Sequence, residues 1–294
     1  MSTPTAPSPL HALTAKVEGL APLDAPGKKV GKQVRSAVSP GTLKDALSGT
    51  WMGHALHPLL TDVVIGSFVS ASILDAIGGK DSADAARKLV GVGLAAYGPT
   101  ALTGVSDWAD SEPASDAVRR VGLVHAASNG VAATLYALSY RARRDGRRGT
   151  GALLGLAGAG VLGVGGYLGA HMTFVQGVGV DQTTFDPGPS EWTPALDCSQ
   201  LPEGEMRTTV VGDTPVMLVR SGGRVHALHD RCSHRGCSLG DTGTIADDMV
   251  ECGCHGSRFR LDDGRVQRGP ATADQPAYEV RESGDRIEIR LITA

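Results

Sequence analysis

The chain has 294 residues, with 28 Lys and Arg against 31 Asp and Glu for a formal net charge of −3. So even a balance gives no general argument for nucleic acid, which needs a concentrated basic surface, and the length allows two ordinary domains, each with a sizeable core. All five Cys lie at or beyond position 198, four of them (Cys232, Cys237, Cys252, Cys254) within 23 residues, a clustering that favours a metal site over a scattered disulfide framework.

Residues 1–50 are rich in Ala, Pro, Ser and Lys, with Pro at 4, 7, 9, 22, 26 and 40. Each proline removes a backbone donor. The arm is therefore expected to be mostly irregular, a solvated tail with one or two surface helices around Leu10–Val17 and Val30–Val38. A lipid-surface or partner-binding arm is the alternative. The opening MSTPTAPSPLHALTAK lacks the basic-then-apolar pattern of an ordinary cleavable signal.

Residues 51–180 hold four apolar segments. Leu59–Ile77 is interrupted only by Asp62 and Asp75, and Leu89–Val105 is uncharged but contains Pro99. Val121–Tyr140 has only His125 as an ionisable exception before its closing tyrosines, and Gly149–Val180 runs 32 residues without Asp, Glu, Lys or Arg. A helix crosses a bilayer with about 20 apolar residues. A soluble bundle helix shows a charged outer face within two turns, and the last segment shows none. Gly151-x-x-x-Gly155 and Gly165-x-x-x-Gly169 supply the small residues that let helices approach closely in lipid. The region reads as a four-helix transmembrane bundle.

Four crossings put the 78–88 and 141–148 loops on one side, with eight basic residues: Lys80, Arg87, Lys88, Arg141, Arg143, Arg144, Arg147 and Arg148. The other side, near the helix ends, has Lys44, Arg119 and Arg120 against Asp107, Asp110, Glu112, Asp116, Asp181 and Asp186. The positive-inside rule then places the Arg-rich loops in the cytoplasm and the C-terminal domain outside, although Lys28, Lys29, Lys32 and Arg35 of the arm pull the other way. The paired arginines before the last segment also match an export signal for folded proteins, or a positive-inside cluster and nothing more.

Residues 181–197 are polar, with Pro187, Pro189 and Pro194, and read as a short semi-rigid linker. From 198 to 294 the pattern turns to β: Thr208–Val211, Val216–Arg220, Val225–His229, Tyr278–Arg281 and Ile287–Leu291 are strand-like. Turn residues separate them at Gly212-Asp213, Ser221-Gly222-Gly223, Asp262-Asp263-Gly264 and Ser283-Gly284-Asp285.

Within this β region Cys232-x-His234 and Cys252-x-x-His255 each offer one thiolate and one imidazole. Two thiolates on one iron and two imidazoles on the other make a [2Fe–2S] centre whose neutral His ligands raise its potential. Two Cys and two His also suit tetrahedral zinc, but zinc fingers pair Cys with Cys and His with His along the chain. Residues 198–294 resemble a Rieske domain throughout, and the two-loop motif is highly specific. The resemblance implies one-electron transfer with metal ligands Cys232, His234, Cys252 and His255, and a disulfide between Cys237 and Cys254. Two reduced thiols or swapped ligands remain the bare-sequence alternatives for that pair. Ser257 stands where family members place a hydroxyl donor to a bridging sulfide, Phe259 where high-potential members have a tyrosine, and Gly269-Pro270 resembles the loop that shields the cluster. Arg235 departs from the quinol-oxidising branch, which usually has an apolar residue at that tip, and matches the ferredoxin-like branch instead.

His57, His125 and His171 fall near one membrane face if helix directions alternate. Polar groups in membrane segments are functional candidates: axial ligands to a b-type haem, a quinone site, or interhelical hydrogen bonds. Residues 49–180 resemble a bacterial family of predicted membrane domains of unknown function, through Gly53-His54-x-x-His57-Pro58, Leu74-Asp75, Gly104-x-x-Asp107-Trp108, His125-x-x-x-Asn129 and Gly169-x-His171.

The expectation is thus a multidomain protein, an all-α transmembrane bundle followed by an all-β Rieske domain. It is a multi-pass cell-membrane protein with an extracytoplasmic head, passing single electrons between a membrane donor (quinol or haem) and a redox protein, alone or as a subunit of a larger respiratory complex. The alternative is a ferredoxin-like component of an oxygenase or reductase system.

Overall fold

A computed structural model describes residues 9–292. The chain forms two compact units, one from residues up to Val38 with Leu56–Val178, the other from Ser39–Ala55 with the residues from Gly179 onward.

The helical unit contains α1 (Pro9–Glu18), α2 (Asp24–Ala37), α4 (Leu56–Ile77), α5 (Ala83–Ser111), α6 (Asp116–Arg144) and α7 (Arg148–Phe174); the intervening α3 (Thr42–Ser48) belongs to the other unit. The four helices from α4 to α7 have 22, 29, 29 and 27 residues and are long and apolar enough to cross a membrane. At 1.5 Å per residue the shortest is roughly 33 Å long, matching a hydrocarbon core of about 30 Å. The last helix stops at Phe174 rather than continuing to 180, because Gly177 and Gly179 take positive φ in the turn that follows.

Glycine sets how closely these helices pack. A Cβ on Gly93 would lie 2.4 Å from the Phe68 ring, and one on Gly104 would lie 2.5 Å from His57. On α7 the two expected small-residue pairs work as read: Gly151 and Gly155 face Arg143, while Gly165 and Gly169 face Asn129 and His125. Facing residues run in opposite order along the chain, Gly93 with Phe68 and Gly104 with His57 in α5–α4, Gly151 with Arg143 and Gly169 with His125 in α7–α6, so these neighbours are antiparallel. The helices bury hydroxyls among their apolar core and leave large apolar side chains outside. Thr103, Ser106 and Ser139 are buried, while Ile65, Val69, Ile73, Leu138, Leu153 and Leu156 are exposed. A side chain set of that kind suits a hydrocarbon surround, where interior hydroxyls find partners within the bundle: Ser139 Oγ donates to the Gly151 carbonyl at 2.6 Å.

The arm has helices at both expected places, Leu10–Val17 within α1 and most of Val30–Val38 within α2, but it is not a mostly irregular, solvated tail. Its first eight residues, with Pro4 and Pro7, lie outside the described residues, but the rest is helical and tied down. Arg120 grips the Asp24 carboxylate through two nitrogens at 2.8 and 2.6 Å. Arg35 and Arg119 both donate to Glu112, each at 2.7 Å. Gly27 and Gly31 make room for this, since a Cβ there would strike Arg119 at 2.7 Å and Glu112 at 2.3 Å. Ser39–Ala55, the end of the expected arm and the start of the expected bundle, folds instead with the β unit.

That β unit has a six-stranded antiparallel sheet in the order β1-β10-β9-β4-β3-β2 and a small sheet β5-β6-β7-β8. Its strands are β1 (Thr193–Asp197), β2 (Met206–Val211), β3 (Thr214–Ser221), β4 (Arg224–His229), β5 (Thr244–Ala246), β6 (Met249–Glu251), β7 (Arg258–Arg260), β8 (Val266–Arg268), β9 (Ala277–Ser283) and β10 (Arg286–Leu291), with α8 (Leu239–Thr242) after β4. All five expected strands are present. The β3–β4 turn pairs Ser221 with Arg224 across Gly222 and Gly223, both with positive φ, the geometry of a two-residue hairpin loop. Alternation along β3 divides the interior: Val216 and Leu218 enter a core with Leu201, Tyr278, Ile287 and Ile289, while Met217 and Val219 enter another with Leu239, Val250, Phe259 and Leu261. The second core lies beneath the Cys/His loops.

The expected linker is built into this unit. Thr193–Asp197 is strand β1, paired with β10. Upstream, Gln182 N–H donates to the Ser233 carbonyl at 3.0 Å and Leu291 N–H to Pro189 at 2.8 Å. Tyr278 Oη donates to the Pro187 carbonyl at 3.1 Å.

Candidate metal centre

Two loops of like design carry the Cys/His motifs, one between β4 and α8 and the other between β6 and β7. In the first, Cys232 N–H donates to the Cys237 carbonyl at 2.8 Å and Gly236 N–H to the Cys232 carbonyl at 2.7 Å. In the second, Cys252 N–H donates to Ser257 at 2.8 Å and Gly256 N–H to Cys252 at 2.9 Å. Both rings close through a glycine at φ +73° or +78°, four residues after the cysteine, where a side chain would be strained. This backbone need explains why Gly follows closely in both motifs.

Cys232 and Cys252 are each 2 % exposed and form part of the core floor. The Cys232 and Cys252 sulfurs are within hydrogen-bond reach of each other. That bond pushes the Cys232 thiol up, with burial adding to it, and brings Cys252 down to about 7. Backbone N–H groups of His234 and Arg235 point at the Cys232 sulfur, and those of Cys254 and His255 at Cys252. Such donors stabilise thiolate. The His234 and His255 rings stand above, partly buried, with centroids 5.1 Å apart at 89°. Burial, and then the nearby Arg235, His255 and Lys44 charges, hold His234 well below the usual imidazole range, so it is neutral as a ligand must be. Two buried sulfurs and two partly buried imidazoles on paired loops fit a Rieske-type [2Fe–2S] donor set.

Cys237 and Cys254 form a disulfide with Cα atoms 6.6 Å apart. The Cys237, Cys252 and Cys254 sulfurs also cluster within 4.8 Å, but two of them are bonded to each other and do not make a ligand trio. Cys198 packs far along the chain against the other core, and its thiol is raised, chiefly by burial. Ser257 is 1 % exposed, and its Oγ accepts the Ala271 N–H at 3.0 Å, which leaves its own proton to donate. Phe259 is fully buried beneath the loops, with no hydroxyl to offer.

Sequence reasoning passed over Gln275. Its amide is 2 % exposed, donates to the His229 and Arg231 carbonyls at 2.7 and 2.6 Å, and accepts Ser233 N–H at 2.9 Å, fixing the first loop from below. No local pattern marks it, since its partners lie more than 40 positions away.

In the helical unit His57 Nδ1 meets the Thr100 carbonyl at 3.0 Å, and His125 Nδ1 meets that of Gly165 at 2.8 Å. His125 Nε2 is 3.1 Å from the Asn129 amide, and His171 Nε2 is 2.8 Å from the Glu18 carboxylate. The bonds of His57 to Thr100, His125 to Gly165 and His171 to Glu18 are interhelical, and that of His125 to Asn129 lies within α6. They engage the Nε2 atoms of His125 and His171 and lend no support to a haem on this trio.

Residues 191–279 match the Rieske [2Fe-2S] domain model, and residues 53–182 match the model described as Predicted membrane protein (DUF2231). The ferredoxin component of biphenyl 2,3-dioxygenase from Rhodococcus jostii is 30% identical over 99 residues, 34% of this chain and 92% of that protein. The ferredoxin subunit of anthranilate 1,2-dioxygenase from Burkholderia cepacia is 28% identical over 102 residues, 35% of this chain and 94% of that one. The cytochrome b6-f complex iron-sulfur subunit of Chlorobaculum thiosulfatiphilum is 31% identical over 91 residues, 31% of this chain and 49% of that subunit. Such a domain carries a [2Fe–2S] cluster and performs iron–sulfur electron transfer. The chain belongs to the Rieske [2Fe–2S] family, with its iron–sulfur domain joined in one polypeptide to a DUF2231 predicted membrane protein domain.

Proposed function

We propose that the protein is a membrane-anchored one-electron carrier whose [2Fe–2S] cluster would be held by the thiolates of Cys232 and Cys252 and the imidazoles of His234 and His255. The observation that carries this reading is the sulfur pair buried in the core floor beneath an edge-to-face imidazole pair. The cluster, when bound, supplies the one-electron chemistry. The chain keeps water from the sulfurs through Leu239, Val250 and Phe259, directs four backbone N–H groups at them, and leaves the Ser257 proton to donate. The histidines form the route by which electrons enter and leave, because they are the outer members of the donor set.

Four apolar helices support an anchor in the membrane. The eight basic residues of the 78–88 and 141–148 loops support a cytoplasmic position for those loops and an extracytoplasmic head, where the Cys237–Cys254 disulfide would persist. The electron donor in this reading is a quinol and the acceptor a redox protein, with the chain able to serve as a subunit of a respiratory complex. A C-terminal reporter active only in the cytoplasm would remove the extracytoplasmic assignment.

The ferredoxin-like reading is favoured by one observation: the chain covers 92% and 94% of two dioxygenase ferredoxins but 49% of a b6-f subunit. A redox titration of the detergent-solubilised protein separates the two. Reduction by ascorbate supports the quinol-linked carrier; reduction only by dithionite supports an oxygenase-type ferredoxin.

A further inference from the structure

Ser39–Ala55 is distant in sequence from the β unit yet packs on the loop 269–271 that flanks the second Cys/His loop. Asp45 Oδ1 accepts the Gly269 N–H at 2.8 Å across 224 positions, and Thr50 Oγ1 donates to the Ala271 carbonyl at 3.1 Å across 221. A Cβ on Gly269 would lie 2.0 Å from Thr50 Oγ1, and one on Gly256 would lie 2.8 Å from Pro40. The tripeptide is thus gripped at both ends from outside. From its inner side Ala271 N–H reaches Ser257 Oγ, and both residues are 1 % exposed. A hydroxyl that accepts from a fixed N–H has one of its two lone pairs committed, which restricts where its proton points.

We propose that Ser39–Ala55 is a positioning strap: Asp45 and Thr50 hold the 269–271 loop so that Ala271 aims the Ser257 hydroxyl as a donor to the cluster, and the strap thereby raises its reduction potential. This rests on the donor role given to Ser257 above. A donor to cluster sulfur stabilises the more negative, reduced state. A strap residue that loosens the loop therefore lowers the potential without touching a ligand. Lys44 lies on the same helix, is 3 % exposed, and puts positive charge near His234, so a Coulombic route must be told apart from the hydrogen-bonded one.

The sign of the shift separates them. Removing the Asp45 charge raises the potential by Coulomb's law, whereas losing its hydrogen bond to Gly269 lowers it. The test is an EPR-monitored redox titration of the full chain in detergent for wild type, Ser257→Ala, Asp45→Ala, Asp45→Asn and the double Ser257→Ala/Asp45→Ala. Hydrogen exchange at Gly269 gives a readout independent of the cluster. Ser257→Ala is expected to lower the midpoint, and Asp45→Ala to lower it less while speeding Gly269 exchange. Asp45→Asn keeps an acceptor oxygen and is expected at or above wild type, and the double variant no lower than Ser257→Ala alone. The strap is refuted if Asp45→Ala leaves or raises the midpoint, if its shift recurs in full on Ser257→Ala, or if Gly269 exchange is unchanged. Should Asp45→Ala fail to fold, Thr50→Val, which removes the bond to Ala271, is expected to lower the midpoint on wild type and not on Ser257→Ala, and an unchanged or raised midpoint refutes the strap. A Ser257→Ala protein with unchanged midpoint refutes the Ser257 assignment and the strap together, whereas a Ser257→Ala shift without an Asp45→Ala shift refutes the strap alone.

Discussion

Replacing Cys237 and Cys254 together by alanine should leave each Cys/His loop intact but free them to separate. Each loop is closed by its own backbone bonds, Cys232 N–H to Cys237 and Cys252 N–H to Ser257, so the disulfide is the covalent tie between them. The crosslink spans 17 positions, and the chain-entropy relation for a loop of that size gives about 3 kcal/mol. If cluster loss to a chelator proceeds through separation of the loops, the open population rises by the same free energy, about a hundredfold. The assay is the decay of visible cluster absorption in excess chelator, for wild type and the double variant in the same detergent, each without reductant. Loss rates within about threefold of each other would show that the loops are held by Gln275, the strap and the core rather than by the crosslink, and the entropic argument would fall.

Three further outcomes follow from the geometry. His229 is fully buried with Nδ1 accepting Arg231 N–H at 3.0 Å, and burial holds it below the ordinary 6.5 despite Asp186 and Asp230, with Arg231 adding to the depression. Its contribution to the β unit is therefore present above pH 6.5 and lost as pH falls through the folded value, because the unfolded imidazole takes the proton first; denaturant midpoints against pH should slope less for His229→Asn, and equal slopes would contradict this. Arg119→Met leaves Glu112, 1 % exposed, with Arg35 as its remaining guanidinium partner among the described ion pairs, and should cost about 2–3 kcal/mol in mixed-micelle unfolding, whereas a change under about 1 kcal/mol would mean the arm relaxes freely. Gly165→Ala places a Cβ 2.2 Å from Asn129 Oδ1 and should destabilise the α6–α7 pair by about 1–3 kcal/mol in the same assay; a neutral result would show Asn129 able to swing clear of the helix interface.

The parts of this molecule legible in its sequence are those set by neighbours along the chain. The Cys-x-His and Cys-x-x-His spacings, the apolar spans, the glycine pairs of α7 and the alternation that builds β3 and β4 all depend on residues within a few positions of one another. What escaped depends on distant partners. Asp45 and Thr50 carry no local sign of their bonds to Gly269 and Ala271, so the strap read as the end of a tail. Pro26 looks like a break in the arm, yet it lies inside α2 beside Gly27, against which Arg119 packs. The small sheet β5–β8 has strands of three residues, too short for alternation to register, with Arg258 and Arg260 exposing charge on β7. The polar stretch 181–192 looked like a spacer because its hydrogen bonds to Ser233, Tyr278 and Leu291 are invisible to composition.

The central claim is that one iron–sulfur centre is shared between Cys232 and Cys252 on one side and His234 and His255 on the other. Pulsed EPR of the reduced full chain, grown with 15N-labelled histidine, reads this directly. The account predicts hyperfine coupling to two histidine nitrogens, with loss of the intact centre in His234→Ala and in His255→Ala. A reduced cluster that shows no histidine coupling, or one that survives both substitutions unchanged, would contradict it.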